Sequence, residues 1–411
     1  MTFPEWPKAP IGIDAGHWIS RPVRRTVLAV AHSMVSCQRL LDVIGLIEGD
    51  TRIQVVFTVG PDVFNHRVAG YLERLDALVL PWQQAVRERF DLAVAAAHGG
   101  LRHLHAPLLV MAHGAGHAKP VRSVPDGLPP GTDPPVYGLD AQRLLHDGRV
   151  LASALAHDHE LDVLRRQCPP ALDAAVVVGD PCLDRLVASL SRRRAYRHAL
   201  GVDDDQRLVV VSSTWGRDGL FGHRPDLLPT VLADLPARRY RVAALLHPAV
   251  WDAHGHRQVR AWLRDCLAAG LLLPDPTVDW RSLVVAADHV VGDHGCVPAY
   301  AAAIGRRMLL LPDPPARPGS PPPVAEGTPQ HLVGVGASRL APHRPLAPQL
   351  DAARRIDHRA VAAAVTSRPG RAGPLLRRTM YRLLRLAEPA RHHRRAEPLP
   401  APCPAAWQAA R

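Results

Sequence analysis

No stretch of this 411-residue chain holds about 18 or more consecutive apolar residues, so no membrane-spanning helix is expected. The N-terminus, MTFPEWPKAPIGIDAGHWIS, lacks a basic start followed by an apolar run, which argues against a secretory signal. The six cysteines, at 37, 168, 182, 266, 296 and 403, include no CxxC pair. That excludes a disulfide frame and a structural zinc site, and points to reduced thiols in a cytoplasmic setting. Lysine is nearly absent: only Lys8 and Lys119 occur, and every other strongly basic residue is arginine. No GxxxxGK followed by Ser or Thr is present, so the chain is not a P-loop protein, and no GxSxG nucleophile elbow occurs. GVGAS (334–338) lacks the strand–turn–helix setting of a dinucleotide fingerprint. HDHE (157–160) resembles a metal cluster but has no third distant ligand, and reads as a solvated helix start. No short-period repeat is visible.

What is present is ample core material. Hydrophobic residues make up 47% of the chain, enough for full cores, and the length suits roughly two or three domains. The formal net charge is +12. A basic chain can meet nucleic acid, an anionic membrane or a phosphorylated substrate. Here Ala, Pro and Arg dominate throughout, as in a protein from a GC-rich genome, so much of the charge is compositional and nothing singles out nucleic acid. The excess concentrates at 371–395, with eight Arg against the single acid Glu388.

Short apolar runs alternate with amphipathic stretches. TVLAVAH (26–32), IQVVFTV (53–59), ALVLP (77–81), LAVAAAH (92–98), LLVMAH (108–113) and AAVVVGD (174–180) read as strands. The runs are continuous rather than alternating, which marks strands buried on both faces of a parallel sheet. SCQRLLDVIGLIEG (36–49) reads as an intervening helix. The pattern restarts near 207 with strands in RLVVVSST, YRVAALLHP, GLLLPD, HVVGDHG and RRMLLLPD, and helices in PDLLPTVLADL and HRQVRAWLRDCLAAG. The expected class is α/β, with two doubly wound parallel-sheet domains facing across a cleft. The expected segments are an N-terminal domain at 1–190, a linker at 191–206, a C-terminal domain at 207–350, and a basic helix and tail at 351–411. The Pro-rich stretch 313–350 reads as a loop or extended arm, and PLLRRTMYRLLRLAE (374–388) as a late amphipathic helix.

In open α/β sheets ligands bind at the C-terminal ends of strands. Four strands here end in polar, reactive residues. VMAHGAGHAK supplies His113, Gly114, His117 and Lys119; VVVSSTWGRDGLFG supplies Ser213 and Thr214; ALLHPAVW supplies His247; VVGDHGCVPAY supplies Asp293, His294, Gly295 and Cys296. A helix starting near Val297 would aim its free N–H groups at the 293–296 turn, a geometry that holds a diphosphate. Asp293 either caps that helix or shapes the turn around a phosphate. Gly295 permits close backbone approach, and Pro298 suits a first helical turn. His247 can donate to a phosphate oxygen. His113 is the natural general base near neutral pH.

Together these residues resemble the GT-B fold of nucleotide-activated transferases, and more closely the CDP-glycerol glycerophosphotransferases (teichoic-acid polymerases and primases). That family carries an HG-x-x-x-K loop, a His-Pro strand end, and a D-Y-S-S-type loop followed by Gly and a short strand. His113-Gly114 is similar to the first, with Lys119 one residue further on; His247-Pro248 matches the second; Asp293-His294-Gly295-Cys296, with Gly305 and MLLLP, matches the third. VVVGDPCLDRL (176–186) is similar to the family's strand before the interdomain linker, and the resemblance covers about residues 25–315. It departs where Gly295 and Cys296 replace two hydroxyls, and where Tyr300 replaces an acid. UDP-N-acetylglucosamine 2-epimerases share the spacing of the turn and the His-Pro strand end.

The resemblance implies a transferase that moves a glycosyl or polyol-phosphate group from a nucleotide-diphosphate-activated donor to a hydroxyl acceptor, with a lipid-linked cell-envelope glycan as one such acceptor. Ser213, Thr214, His247 and 293–296 would hold the donor, His113 would deprotonate the acceptor, and Lys119 would balance charge. No cofactor or metal is implied, since the donor is a substrate. A 2-epimerase-like isomerase and a non-catalytic nucleotide-binding protein remain alternatives. The expected location is cytoplasmic, with residues 371–395 attaching to the anionic inner face of the membrane through Arg377, Arg378, Arg382 and Arg385, or else packing on the N-terminal domain.

Overall fold

The computed structural model describes residues 7–12, 17, 19–117, 136, 138–139, 150–312, 325–390 and 396–402. The chain forms two compact units, one of residues 1–182 with 367–395, the other of 183–366 with 396–411.

The first unit is built on a seven-stranded sheet, in the order β3-β2-β1-β4-β5-β6-β7. The strands are β1 (Arg25–Ala31), β2 (Ile53–Val59), β3 (Val79–Leu80), β4 (Leu92–Ala95), β5 (Leu108–Met111), β6 (Val150–Leu155) and β7 (Ala175–Val177). Every neighbouring pair is parallel. The continuous apolar runs have the expected cause. Val27, Ala29 and Ala31 of β1 face one core, with the helix Met34–Ile44; Leu28 and Val30 face another, with Leu80, Phe90 and Leu104. A strand covered on both faces has no polar side to show in its sequence. The sequence did not reveal β6, because VLASAL is short and its small residues give little periodic signal.

The second unit carries a five-stranded sheet in the order β12-β11-β10-β8-β9, again parallel throughout. Its strands are β8 (Arg207–Ser213), β9 (Tyr240–Leu246), β10 (His289–Gly292), β11 (Arg307–Leu310) and β12 (Ser338–Arg339). GLLLPD is not a full strand; it touches β9 only at Leu272, opposite Ala243. The arm expected at 313–350 is also corrected. Its described part, 325–350, contains the helix Pro329–Gly336, β12 and the start of the helix Leu346–Ala352. The prolines that read as breakers sit at helix starts, where a missing N–H does no harm: Thr328 caps and Pro329 follows, and Pro345 precedes Leu346.

The units divide the chain differently from the segments drawn on the sequence, the first unit's opening stretch ending at 182 rather than 190. Residues 191–206 include the helix Arg193–Ala199, part of the second unit, where Arg193 and Arg197 both pair with Asp288. The segment 351–411 is divided: the helix His358–Val365 is in the second unit, the helix Ala372–Leu383 in the first, and residues 396–402 in the second. Leu376, Met380, Tyr381 and Leu384 of the late helix are buried in the first unit's core beside Met34 and Leu40. Arg377 is therefore not on a lipid-facing surface. It is 3% exposed, pairs with Glu388 and lies over the Tyr381 ring at 4.6 Å. Arg378, Arg382 and Arg385 are exposed. Arg391, Arg394 and Arg395 lie outside the described residues. Among the described residues, no helix is long and apolar enough to cross a membrane.

Candidate functional site

In the second unit, β8, β9 and β10 are neighbours, and their C-terminal ends bring Ser213, Thr214, His247 and the 293–296 turn together. Asp293, just past β10, is 8% exposed and organises the loop that follows β8. Its Oδ2 accepts from the Thr214 N–H, the Thr214 hydroxyl and the Leu220 N–H, each at 2.8 Å. Its Oδ1 accepts from Gly295 N–H at 3.2 Å. Four donors thus hold the carboxylate, three on Oδ2 and one on Oδ1, and fix the β8 loop to the 293–296 turn. The loop it holds turns at Gly216, with φ +86°, and comes so close to itself at Gly219 that a Cβ there would lie 2.5 Å from the Thr214 carbonyl oxygen. Ser213 donates to the Thr214 carbonyl at 2.7 Å and accepts from the Phe221 N–H at 2.8 Å. Both hydroxyls named from the sequence are therefore committed to the loop.

The helix Cys296–Ala303 begins at Gly295, and no side chain caps it. Its first-turn N–H groups and positive dipole end belong to the 293–296 turn, as the sequence implied. Gly295 has a packing reason as well: a Cβ there would meet Thr214 Cγ2 at 2.6 Å. His294 is exposed and Cys296 half-buried, with Gln330 donating to the Cys296 sulfur at 3.8 Å. His247 caps the helix Pro248–His254, its Nδ1 accepting from Ala249 N–H at 3.1 Å. An accepting Nδ1 puts the proton of the neutral ring on Nε2, which makes Nε2 the donor nitrogen.

In the first unit, His113 follows β5. Its Nδ1 lies 3.0 Å from the Ala96 carbonyl oxygen, which can only accept, so Nδ1 carries the hydrogen and Nε2 the lone pair. Lys119 lies outside the described residues. The sequence reading missed Glu160. It is not a solvated helix start but fully buried, and it accepts from the His117 N–H at 2.6 Å and the Ala156 N–H at 2.7 Å. Burial pushes its carboxyl up, but His117 and these backbone donors outweigh burial and hold it well below the ordinary carboxylate range. Arg39 and Asp180 form a second buried pair nearby, at 3.3 Å. The sequence signal for Glu160 was present but weak: an acid in the first turn of a helix that follows a strand. Among the described residues, no group of three or more His, Cys, Asp or Glu is placed to hold a metal ion.

No protein-family model matches the chain, and no curated protein matches it. Solved structures do. The wall teichoic acid polymerase TagF aligns over 88% of this chain and 89% of that one, with a TM-score of 0.59 at 13% identity. A variant of that polymerase soaked with CDPG gives a TM-score of 0.57 at 11% identity, over 88% and 89%. A UDP-GlcNAc 2-epimerase from Neisseria meningitidis, bound to UDP-GlcNAc, gives 0.48 at 13% identity, over 87% and 99%. At such identities the likeness is one of fold, and it bears out the architecture expected from the sequence: an α/β chain of two doubly wound parallel sheets, of the GT-B type.

Proposed function

We propose that this chain is a GT-B-type transferase that moves a glycosyl or polyol-phosphate group from a nucleotide-diphosphate-activated donor to a hydroxyl acceptor. The observation that carries this is the set of groups on the second unit: an uncapped helix start at Gly295, an Asp293 that fixes the β8 loop beside it, and a His247 whose Nε2 is the donor nitrogen. The helix start and the His247 donor suit an anionic diphosphate, while Asp293 acts by fixing the loop beside it. Ser213 and Thr214 would act by shaping the loop, with its backbone meeting the donor. His294, Gly295 and Cys296 would line the phosphate.

Transfer then needs a base. The acceptor oxygen forms the new bond, the bond to the nucleotide's phosphate oxygen breaks, and its electron pair leaves with the nucleotide. The acceptor proton goes to Nε2 of His113, which the Ala96 carbonyl holds in the Nδ1–H form. Positioning and charge stabilisation carry such a reaction more than covalent chemistry does. Lys119 is proposed to balance charge on the acceptor or the leaving group.

A thermal-shift screen against CDP, UDP, GDP and CMP tests the donor site. One nucleotide at a hundred times its dissociation constant should stabilise the fold by about 2.7 kcal/mol. His247→Ala and Asp293→Ala should weaken that effect while the chain still folds. His113→Ala should leave it intact and lower turnover about 100- to 10,000-fold. Nucleotide release that requires an acceptor supports the transferase. Sugar change without an acceptor would make the chain an isomerase, and no response to any nucleotide would reject the donor site.

A further inference from the structure

The N-terminal edge of the second unit's sheet gathers more positive charge than it neutralises. Asp288, directly before β10, is its centre. Its Oδ2 accepts from the Leu208 N–H and from Arg197 Nη1, each at 2.8 Å, and its Oδ1 from Arg193 Nη2 at 2.6 Å. Arg193 and Arg197 stand four residues apart on the helix Arg193–Ala199, a spacing that puts both on one face. A third guanidinium, that of Arg306, comes from another element. Gly305, with φ +78°, closes the helix Cys296–Ala303 and leaves Arg306 directly before β11.

The three guanidiniums converge on three consecutive residues. Arg197 Nη1 donates to the Ala286 carbonyl at 3.4 Å as well as to Asp288. Arg193 Nη2 and Arg306 Nη1 both donate to the Ala287 carbonyl, at 3.4 and 3.1 Å, so these two groups stand side by side. Arg197 is committed to the fold: it is 7% exposed, and its Nη2 donates to the Asp203 and Gln206 carbonyls at 3.1 and 2.6 Å. Arg306 is not. Among the described residues it has no carboxylate partner, its side chain donates only to Ala287, and its Nε is buried without a hydrogen bond. Burial, and after it the charge of Arg193, lower its pKa from 12.5 to about 10, and Asp288 offsets only part of that.

Three guanidiniums thus share one carboxylate, a surplus of two positive charges. The same edge holds no spare acid for them. Arg207 uses the Asp351 carboxylate, and Arg307 reaches only the Asp351 carbonyl, at 3.0 Å. Asp288 is already paired by Arg193 and Arg197, so the fold has no need of Arg306 there. A largely buried charge without an ion partner costs stability that an apolar residue at 306 would not. We propose that Arg193 and Arg306, supported by Asp288 and Arg197, form a binding site for a phosphate dianion, at the edge of the sheet opposite the Asp293 turn. Two surplus charges match a dianion, and guanidiniums meet phosphate oxygens with directed, charge-assisted hydrogen bonds. The site is open to solvent, the Arg193 and Asp288 side chains being 33% and 27% exposed. It does not rest on the transferase reading.

The test is isothermal titration of the full chain with sodium phosphate at about pH 8, where phosphate is chiefly a dianion, with ionic strength held constant by sodium chloride. The wild type should bind, and Arg306→Gln and Arg193→Gln should each weaken binding about 10- to 100-fold. His247→Ala, at the other edge of the sheet, tells the two sites apart: binding that survives it and falls in the arginine variants belongs to Arg193 and Arg306. No phosphate binding by the wild type, or an affinity unchanged in both arginine variants, overturns the proposal. Should Arg306→Gln not fold, Arg193→Gln, at the more exposed position, is read alone. Phosphatidylcholine vesicles with and without phosphatidic acid identify the source of the dianion. Phosphatidic acid binding that falls in the arginine variants assigns it to a lipid headgroup, and phosphate binding without vesicle binding assigns it to a soluble phosphate.

Discussion

Gly295 shows how one atom can set a local geometry. The sequence suggested that a glycine there lets a ligand approach the backbone, yet the structure gives it a neighbour, Thr214 Cγ2, at 2.6 Å from where a Cβ would lie. The Thr214 hydroxyl meanwhile donates to Asp293. Gly295→Ala should therefore push Thr214 off its bond to Asp293 and destabilise the second unit by about 1–3 kcal/mol. Thr214→Ser removes the offending methyl and keeps the hydroxyl. In that background Gly295→Ala should cost much less, and a double-mutant cycle by urea unfolding measures the difference. Strict additivity would show that the methyl is not the cause.

At the scale of an element, the helix Ala372–Leu383 has two faces with separate jobs. Its apolar face is core, and it is pinned by Tyr381, whose hydroxyl donates to Asp50 Oδ2 at 2.7 Å. Arg52 grips the same carboxylate at 2.6 Å. Tyr381→Phe leaves Asp50 without one of its buried donors and should lower stability by about 1–3 kcal/mol, read from urea unfolding. The outer face carries Arg378 and Arg382, and Arg385 is exposed just past the helix end. We propose that this surface meets anionic lipid, each Arg contributing about 1 kcal/mol at low salt. Changing the three to Gln should reduce co-sedimentation with anionic vesicles at low salt but not with neutral ones. Equal binding to neutral vesicles, or none to either, would leave these arginines as composition alone. Arg377 is excluded from the set because it is core.

Across the molecule, buried carboxylates make stability depend on acid. Arg52 beside Asp50, aided by the Tyr381 hydroxyl, holds that carboxyl well below its usual range. For Glu160, burial opposes ionisation but His117 and backbone donors prevail, bringing it from 4.5 to about 2. Both folded-state values are depressed. Their stabilising effect is therefore fully present above the unfolded-state values and is lost as pH falls through the folded ones. For Glu160 that window runs from 4.5 down to about 2. Calorimetric melting across this range should show the wild type losing stability steeply. Glu160→Gln should start lower and decline less. Parallel curves would mean that Glu160 contributes nothing to the acid response.

Runs such as TVLAVAH and RLVVVSST determined by themselves that this chain builds parallel sheets, because a strand buried on both faces must be apolar at every position. They also placed His113, His247 and Asp293 correctly at strand ends, since a polar residue closing such a run emerges where the sheet stops. The resemblance in those same residues added the GT-B type. Short windows could not show β6, the helices beyond Pro329 and Pro345, or the inward turn of Arg377. They also could not show that Glu160, read as solvated, is enclosed. Its donors come from residue 117, 43 positions away, as well as from its own strand end; Arg39 meets Asp180 across 141 positions and Asp50 meets Tyr381 across 331. Whether an acid is solvated or buried depends on which donors converge on it. Those donors are brought together only by tertiary packing, so the same Glu reads as surface in the sequence and is enclosed in the fold.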